Sequence, residues 1–336
     1  MTHFRISLGH VVLRSALWIA LVSVSISSIT AADARWLSGS AAVVITPEHP
    51  MWMAGYGGRT KPAEGKVGEL HGKALILEVE GGTKSLVLSL DLVGIDRTLS
   101  DRIKSGISAK IGVPVENIAI CTSHTHCGPV VGMNLGAMHY NRLIPDEQAR
   151  VREYAEALLT KSIQVAAAAE SAKQACTVQW GTGHADFAVN RRNNKEAEVP
   201  DLRTAQKLVG PFDHDVPVLV VRDAAGAIKT FLFGYACHAT VLSWQSWCGD
   251  YPGFAQSELE SRYPGSVAMF YAGCGADQNP LPRRTVELAQ HYGRRLADAV
   301  GVGSFDFKTA RCTGSAEMCL PGHRSRHLPS CRRSSN

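Results

Sequence analysis

The 336-residue chain is 45% hydrophobic, 19% charged and 7% aromatic, a balance that suits a globular protein and excludes a mainly disordered or collagen-like one. Its formal charge of +5 is unevenly spread: removing the +2 of Arg5 and Arg14 and the +5 carried from Lys308 onward leaves a body at −2. Such a body has no surplus of cations to neutralise phosphates, so nucleic acid is excluded as its partner.

Residues 1–32 read as a signal peptide. Arg5 and Arg14 precede an apolar run from Ala16 to Val24, and the small pair Ala31-Ala32 closes it. The run is short for a bilayer span, which favours cleavage near Ala31 or Ala32 and an exported protein, periplasmic or extracellular, over a membrane anchor. No later stretch approaches the ~18 uninterrupted apolar residues that a span needs. Export permits disulfides, yet the nine cysteines include no Cys-x-x-Cys pair. Six of them, at 121, 127, 176, 237, 248 and 274, lie in the body, where spacing leaves the pairing open and burial as small hydrophobes is an equal reading.

Within the body, residues 72–80 and 85–91 are two strand-like runs joined at Gly81-Gly82, a hairpin pattern. Residues 98–111 have helical spacing and stop at Gly112; residues 117–121 form a short apolar strand that runs into a polar loop rich in Gly and Pro. Asp146 is placed to cap a long helix through about residue 172. Strands are expected at 176–181, 216–222, 228–235 and 266–271, with helices at 253–261 and 285–300. Hairpins mixed with strand–helix alternation predict an α/β protein with a mixed β-sheet core and flanking helices, in one large catalytic-type domain over residues 33–307. Residues 308–336 have no apolar period and hold three of the nine cysteines among Arg, Ser and Pro. A basic disordered tail accounts for that composition, and out-of-frame translation accounts for it better.

The densest chemistry lies in Ser123-His124-Thr125-His126-Cys127-Gly128-Pro129. If the preceding strand continues here, His124 and His126 share one side, because strand side chains repeat every two positions. Two imidazoles at a strand's carboxyl end suit a metal or a charged substrate, although a His-x-His pair also occurs as plain loop residues. Cys237-His238-Ala239-Thr240 puts a third histidine where another apolar strand runs out, and two strand ends offering histidine favour one convergent site. Asp91 interrupts an apolar strand and is a candidate to orient a histidine, or a buried turn partner. Asp250 is a second such candidate, or the cap of the following helix. The turn from Gly273 to Pro280 offers amides to an oxyanion but lacks the Gly-Lys-Ser/Thr ending of a phosphate loop, so no nucleotide is expected. Arg191 and Arg192 are a solvated pair or an anchor for a polar headgroup. No Gly-x-Ser-x-Gly elbow and no His-Glu-x-x-His helix is present.

Taken in order, Ala54-Gly55-Tyr56-Gly57 with Arg59, Leu88-Ser89-Leu90-Asp91-Leu92, the segment 123–129, Asn190-Arg191, Cys237-His238-Ala239-Thr240, Gly249-Asp250-Tyr251-Pro252-Gly253 and the 273–280 turn resemble the amino-terminal domain of the neutral/alkaline, non-lysosomal ceramidases. That family hydrolyses the N-acyl bond of ceramide with zinc. The resemblance implies His124 and His238 as ligands of Zn2+, with His126 beside the metal in contact with substrate. It also implies Arg191 as a residue lining the site, and a ceramide-like lipid amide as partner, met in transient contact with a membrane surface. Gly275 and Gln278 fall where the family's turn meets the substrate, and Gln278 stands where ceramidases carry serine, which implies a different headgroup contact. The family's remaining ligands, a glutamate and a tyrosine, have no counterpart assigned in this chain. Three functions therefore stand: a zinc amidase acting on ceramide or a related N-acyl lipid; a truncated ceramidase-like or lipid-binding protein with little catalysis; and a phosphate-ester hydrolase using Arg191, Arg192 and the 273–280 amides. The second follows from two histidines being fewer than the three protein ligands catalytic zinc usually keeps.

Overall fold

The computed structural model describes residues 35–301 and 306–310. The signal peptide expected over 1–32, and the tail apart from 308–310, lie outside the described residues. In chain order the described residues form β1 (Trp36–Val44), β2 (Gly65–Lys66), β3 (His71–Val79), β4 (Lys84–Leu90), α1 (Arg97–Ile111), β5 (Ile118–Thr122), α2 (Pro145–Ser171), β6 (Gln174–His184), β7 (Ala188–Asn190), α3 (Val199–Thr204), β8 (Asp215–Asp223), β9 (Ile228–Tyr235), β10 (Ser246–Trp247), α4 (Asp250–Arg262), β11 (Val267–Ala272), β12 (Gln278–Pro280), α5 (Val286–Val300) and β13 (Lys308–Thr309).

The expected hairpin is β3–β4, with Gly72 opposite Leu90 and Glu78 opposite Lys84. Helix α1 buries Leu99, Ile103 and Ile107 at four-residue spacing and stops where Gly112 takes φ 70, a left-handed conformation that costs glycine little. Helix α2 starts at Pro145, which has no N–H to leave unpaired, and Glu147 rather than Asp146 closes the turn by accepting from the Ile144 N–H at 3.2 Å. Strand β1 has no counterpart among the expected elements. Its Ser38-Gly39-Ser40-Ala41 run is poor in strand-forming side chains because α2 lies directly on it: a Cβ at Gly39 would overlap the Ala169 carbonyl. Lys308–Thr309, assigned from the sequence to the tail, pair with β6, and Ala310 donates its N–H to Val178.

Eight strands run in the order β11-β9-β8-β6-β1-β3-β4-β5, with β13 also on β6. The β4–β5 and β9–β11 pairs are parallel and the others antiparallel, so the sheet is mixed as expected. β1 and β6, which join the two halves of the sheet, pair over only three residues at their starts. Its two halves then face one another. Alternate residues point inward, where Leu75 of β3, Val221 of β8 and Met269 of β11 form one buried cluster. The intervening residues Ala74, Ile76, Val218, Val220, Ala268 and Phe270 face outward into the main core. There α2 covers β1 and β3, α4 covers β11, and α5 covers β6 and β8. Polar side chains span the inner gap as well. Lys73, 3% exposed, donates from Nζ to Glu260 Oε1 at 2.7 Å and to the Ala268 carbonyl at 2.9 Å. Ser89, near the end of β4, donates to the Phe270 carbonyl near the end of β11. This closure brings the carboxyl end of the β4–β5 pair beside that of the β9–β11 pair.

Candidate metal centre

His124 and His126 follow β5, and His238 follows β9. The strand geometry assumed for His124 and His126 does not hold, because β5 ends at Thr122 and His124 takes φ 58. That left-handed conformation is uncommon outside glycine, though histidine is among the residues that tolerate it best. The turn nevertheless joins the rings: centroids lie 5.0 Å apart for His124–His126, 5.0 Å for His124–His238 and 5.7 Å for His126–His238. One nitrogen from each falls within 4.8 Å of the others, a group among the described residues that could hold a metal ion.

Hydrogen bonds divide the three imidazoles. His124 Nδ1 lies 2.7 Å from the Val93 carbonyl, and His238 Nδ1 lies 2.9 Å from the Gly275 carbonyl. A carbonyl can only accept, so each Nδ1 carries a proton, and in the neutral ring each Nε2 is then left as a lone pair. That is the usual preparation of a metal-ligating histidine. His126 has no such partner: its Nε2 sits 3.4 Å from His124 Nε2, and its buried Nδ1 is unpaired. Burial, then His124, His238, Arg59 and Arg191, pushes the His126 pKa down to about 3. Burial, with His124 and Arg191, pushes His238 down to about 4 against the opposing pull of the Gly275 and Gln278 carbonyls. Both rings are neutral at neutral pH, the form that binds metal. Two prepared Nε2 atoms with a third imidazole beside them are a donor set that fits zinc and other imidazole-seeking metals.

No protein-family model matches the sequence, and no curated protein matches it. In three dimensions the chain is similar to a ceramidase complexed with C2, at TM-score 0.67 and 18% identity over 82% of this chain and 45% of that one. It is similar also to the neutral ceramidase of Pseudomonas aeruginosa, at TM-score 0.66 and 20% identity over 82% and 46%. The fold is ceramidase-like. This chain spans less than half the length of the ceramidases it matches.

Within the ceramidase-like fold the remaining expected residues fall around the histidines, with changed roles. Asp91 does not meet a histidine ring. It accepts from the His71 N–H at 2.9 Å and from Gln256 at 3.4 Å, while the Val93 carbonyl two residues on takes the proton of His124. Asp250 is buried with φ 55 at the start of α4 and accepts from the N–H groups of Val241, Leu242 and Tyr251 at 3.2, 2.8 and 2.7 Å. It therefore anchors the segment that leaves His238. Burial raises its pKa to about 6 against those three donors.

Gly275 and Gln278 also act on His238. Gly275 supplies the carbonyl, and a Cβ there would overlap the Cys237 backbone. The Gln278 carbonyl receives the His238 N–H at 2.9 Å, while its side chain accepts from Asp213 N–H at 3.1 Å. Pairing of β7 with β12 brings exposed Arg191 to this turn, where Nε and Nη2 donate to the Ala276 carbonyl at 3.1 and 2.8 Å. The amides of Gly273, Gly275 and Gln278 donate to Tyr235, Gly273 and Gly275 carbonyls, so these three are spent within the protein and not offered to a phosphate.

Four residues given no role by the sequence reading complete the surroundings. Gly55, at φ 94, lays its backbone against the His126 ring and donates its N–H to His139 Nε2 at 3.1 Å. The Tyr56 ring meets His126 edge-on at 4.7 Å, and Arg59 donates to the His126 carbonyl at 2.7 Å. The Ala-Gly-Tyr-Gly motif was the available signal. It marked the segment but not the contact.

Proposed function

We propose that this chain works as a zinc-dependent amidase that hydrolyses the N-acyl bond of ceramide or a related N-acyl lipid, releasing a sphingoid base and a fatty acid. The observation that carries this reading is the pair of Nε2 lone pairs of His124 and His238, prepared by backbone carbonyls and set beside His126 in a ceramidase-like fold. His124 and His238 would hold the ion, and zinc, when bound, supplies Lewis-acid activation of water and of an amide carbonyl. His126, at about 3, is too weakly basic to act as a general base near neutral pH, so its part is to hydrogen-bond to substrate from a neutral ring. Arg191, fixed on the Ala276 carbonyl, presents its cation at the edge of the site to a polar headgroup.

A lipid surface is the partner this site would face. Five of the nine exposed large apolar residues among the described residues, Met133, Leu135, Met138, Ile144 and Trp244, lie in the segments that follow His126 and His238. Residues 127–145 contain no carboxylate to oppose an anionic membrane.

One observation favours the second reading, a lipid-binding protein with impaired catalysis: the cluster holds three imidazoles and no carboxylate among the described residues. Elemental analysis of the purified chain, beside hydrolysis of a fluorescent N-acyl sphingosine, separates the two. We expect about one zinc per chain, lost in His124→Ala and His238→Ala; in His126→Ala zinc is held more weakly than in wild type but better than in those two, and turnover falls at least ~100-fold. Zinc without hydrolysis supports the second reading. Wild-type protein without zinc refutes the first, and equal zinc loss in all three variants refutes the division of roles.

A further inference from the structure

Two of the three imidazoles are aimed by carbonyls, and the third is not. His126 has neither ring nitrogen on a carbonyl or carboxylate, so what fixes its ring must be packing and the path of its backbone. Both lead to one side chain. Arg59 Nη2 donates to the His126 carbonyl at 2.7 Å. Its Nη1 donates to the Trp244 carbonyl at 3.0 Å and to Gln245 Oε1. Its guanidinium carbon stands 5.3 Å from the centre of the Tyr56 ring, which meets His126 edge-on. Tyr56 in turn donates its hydroxyl to the Leu242 carbonyl at 3.0 Å. One cation thus joins the loop that carries His124 and His126 to the loop that leaves His238, and holds the aromatic wall of the third ring.

We infer that Arg59 is a positioning residue of the metal centre: through the His126 and Trp244 carbonyls and the Tyr56 ring it sets where the His126 imidazole stands relative to His124 and His238. The inference rests on the metal-centre reading above. A planar fork suits the task because it reaches two carbonyls on separate loops while its face lies near a ring. A lysine ammonium is a single point that serves one carbonyl at a time. Gly55 belongs to the same device, since the backbone lies where any Cβ would enter the His126 ring.

The test uses cobalt(II) on the metal-stripped full chain. Affinity is read by competition with a chelator, geometry by the visible absorption bands, and fold by urea unfolding without metal. Arg59→Met is expected to bind cobalt roughly 10- to 100-fold more weakly than wild type, with altered bands, as for loss of other partners that orient ligands. Arg59→Lys, which keeps the charge, should recover only part of the affinity. A contact that merely stabilises the fold would lower the urea midpoint and leave the bands of the folded protein unchanged. Wild-type affinity and bands in Arg59→Met overturn the inference while leaving the metal centre standing. If Arg59→Met does not fold, wild-type affinity and bands in Arg59→Lys overturn it equally. A wild-type chain that binds no cobalt overturns the metal centre and this inference together.

Discussion

His126 and His238 show how burial prepares a site before any ion arrives. In water an imidazole titrates near 6.5; here desolvation and neighbouring charges hold these two near 3 and 4. Between pH 6.5 and about 4 the unfolded chain therefore takes up protons that the folded chain refuses. By linkage, the metal-free protein loses stability as pH falls through that window. Asp250 has the opposite sign, because a folded pKa near 6 makes the folded state the better proton binder from the ordinary carboxyl range up to 6. We expect urea unfolding in chelator to show lower stability at pH 5.5 than at pH 7.5. His238→Asn should make that drop smaller, since one of the refusing groups, which include His71 and His139 as well as His126, is gone. A drop of unchanged size in the variant would show that other groups carry it. The residue types at this scale were readable in advance, and their partners were not. Asp91 was a candidate to orient a histidine or to serve as a buried turn partner; it takes the second role, and His124 leans on the carbonyl of Val93, a backbone acceptor that leaves no mark in residue type.

At the scale of elements, long periodic segments were legible because their pattern and their burial coincide. Helix α1 with Leu99, Ile103 and Ile107, and the β3–β4 hairpin at Gly81, are the clearest cases. The short strands β7, β12 and β13 were not, since a run of two or three residues becomes a strand only when a partner offers its edge. The loop between β5 and α2 carries exposed Met133, Leu135 and Met138, and Met138 packs near Gly57 beside the Tyr56 wall. Trp244, whose carbonyl holds Arg59, is 44% exposed. If these side chains meet a lipid surface, Met138→Ser with Trp244→Ser should reduce co-sedimentation with phosphatidylcholine–phosphatidylglycerol vesicles by at least ~10-fold, the cost of losing two large apolar contacts. Unchanged sedimentation with retained fold would remove the lipid-surface proposal.

The whole molecule depends on the sheet turning back on itself, and Lys73 is a lever on that closure. Its ammonium is buried between the halves on Glu260 and the Ala268 carbonyl, and Glu260 is partly open to solvent at 33%. Lys73→Ala should cost about 2–3 kcal/mol in urea unfolding, toward the low end for a broken buried pair because water reaches the glutamate. Lys73→Met, which refills the volume, should cost about 1 kcal/mol or less. Equal losses in both would mean that packing, and not the ion pair, holds the halves together. Sequence alone determined the mixed α/β class, the hairpin and main helices, and the three histidines at two strand ends, because hydrophobic period and side-chain chemistry are local properties. Only the tertiary structure decided that the ends of β5 and β9 meet, that Gly275 and Val93 aim two of the rings, and that Arg59 stands behind the third. Those contacts join residues 31 to 185 positions apart, in a sheet that turns back on itself and whose halves share only three paired residues at the start of β1 and β6. No local pattern encodes which edges will face each other once that turn is made.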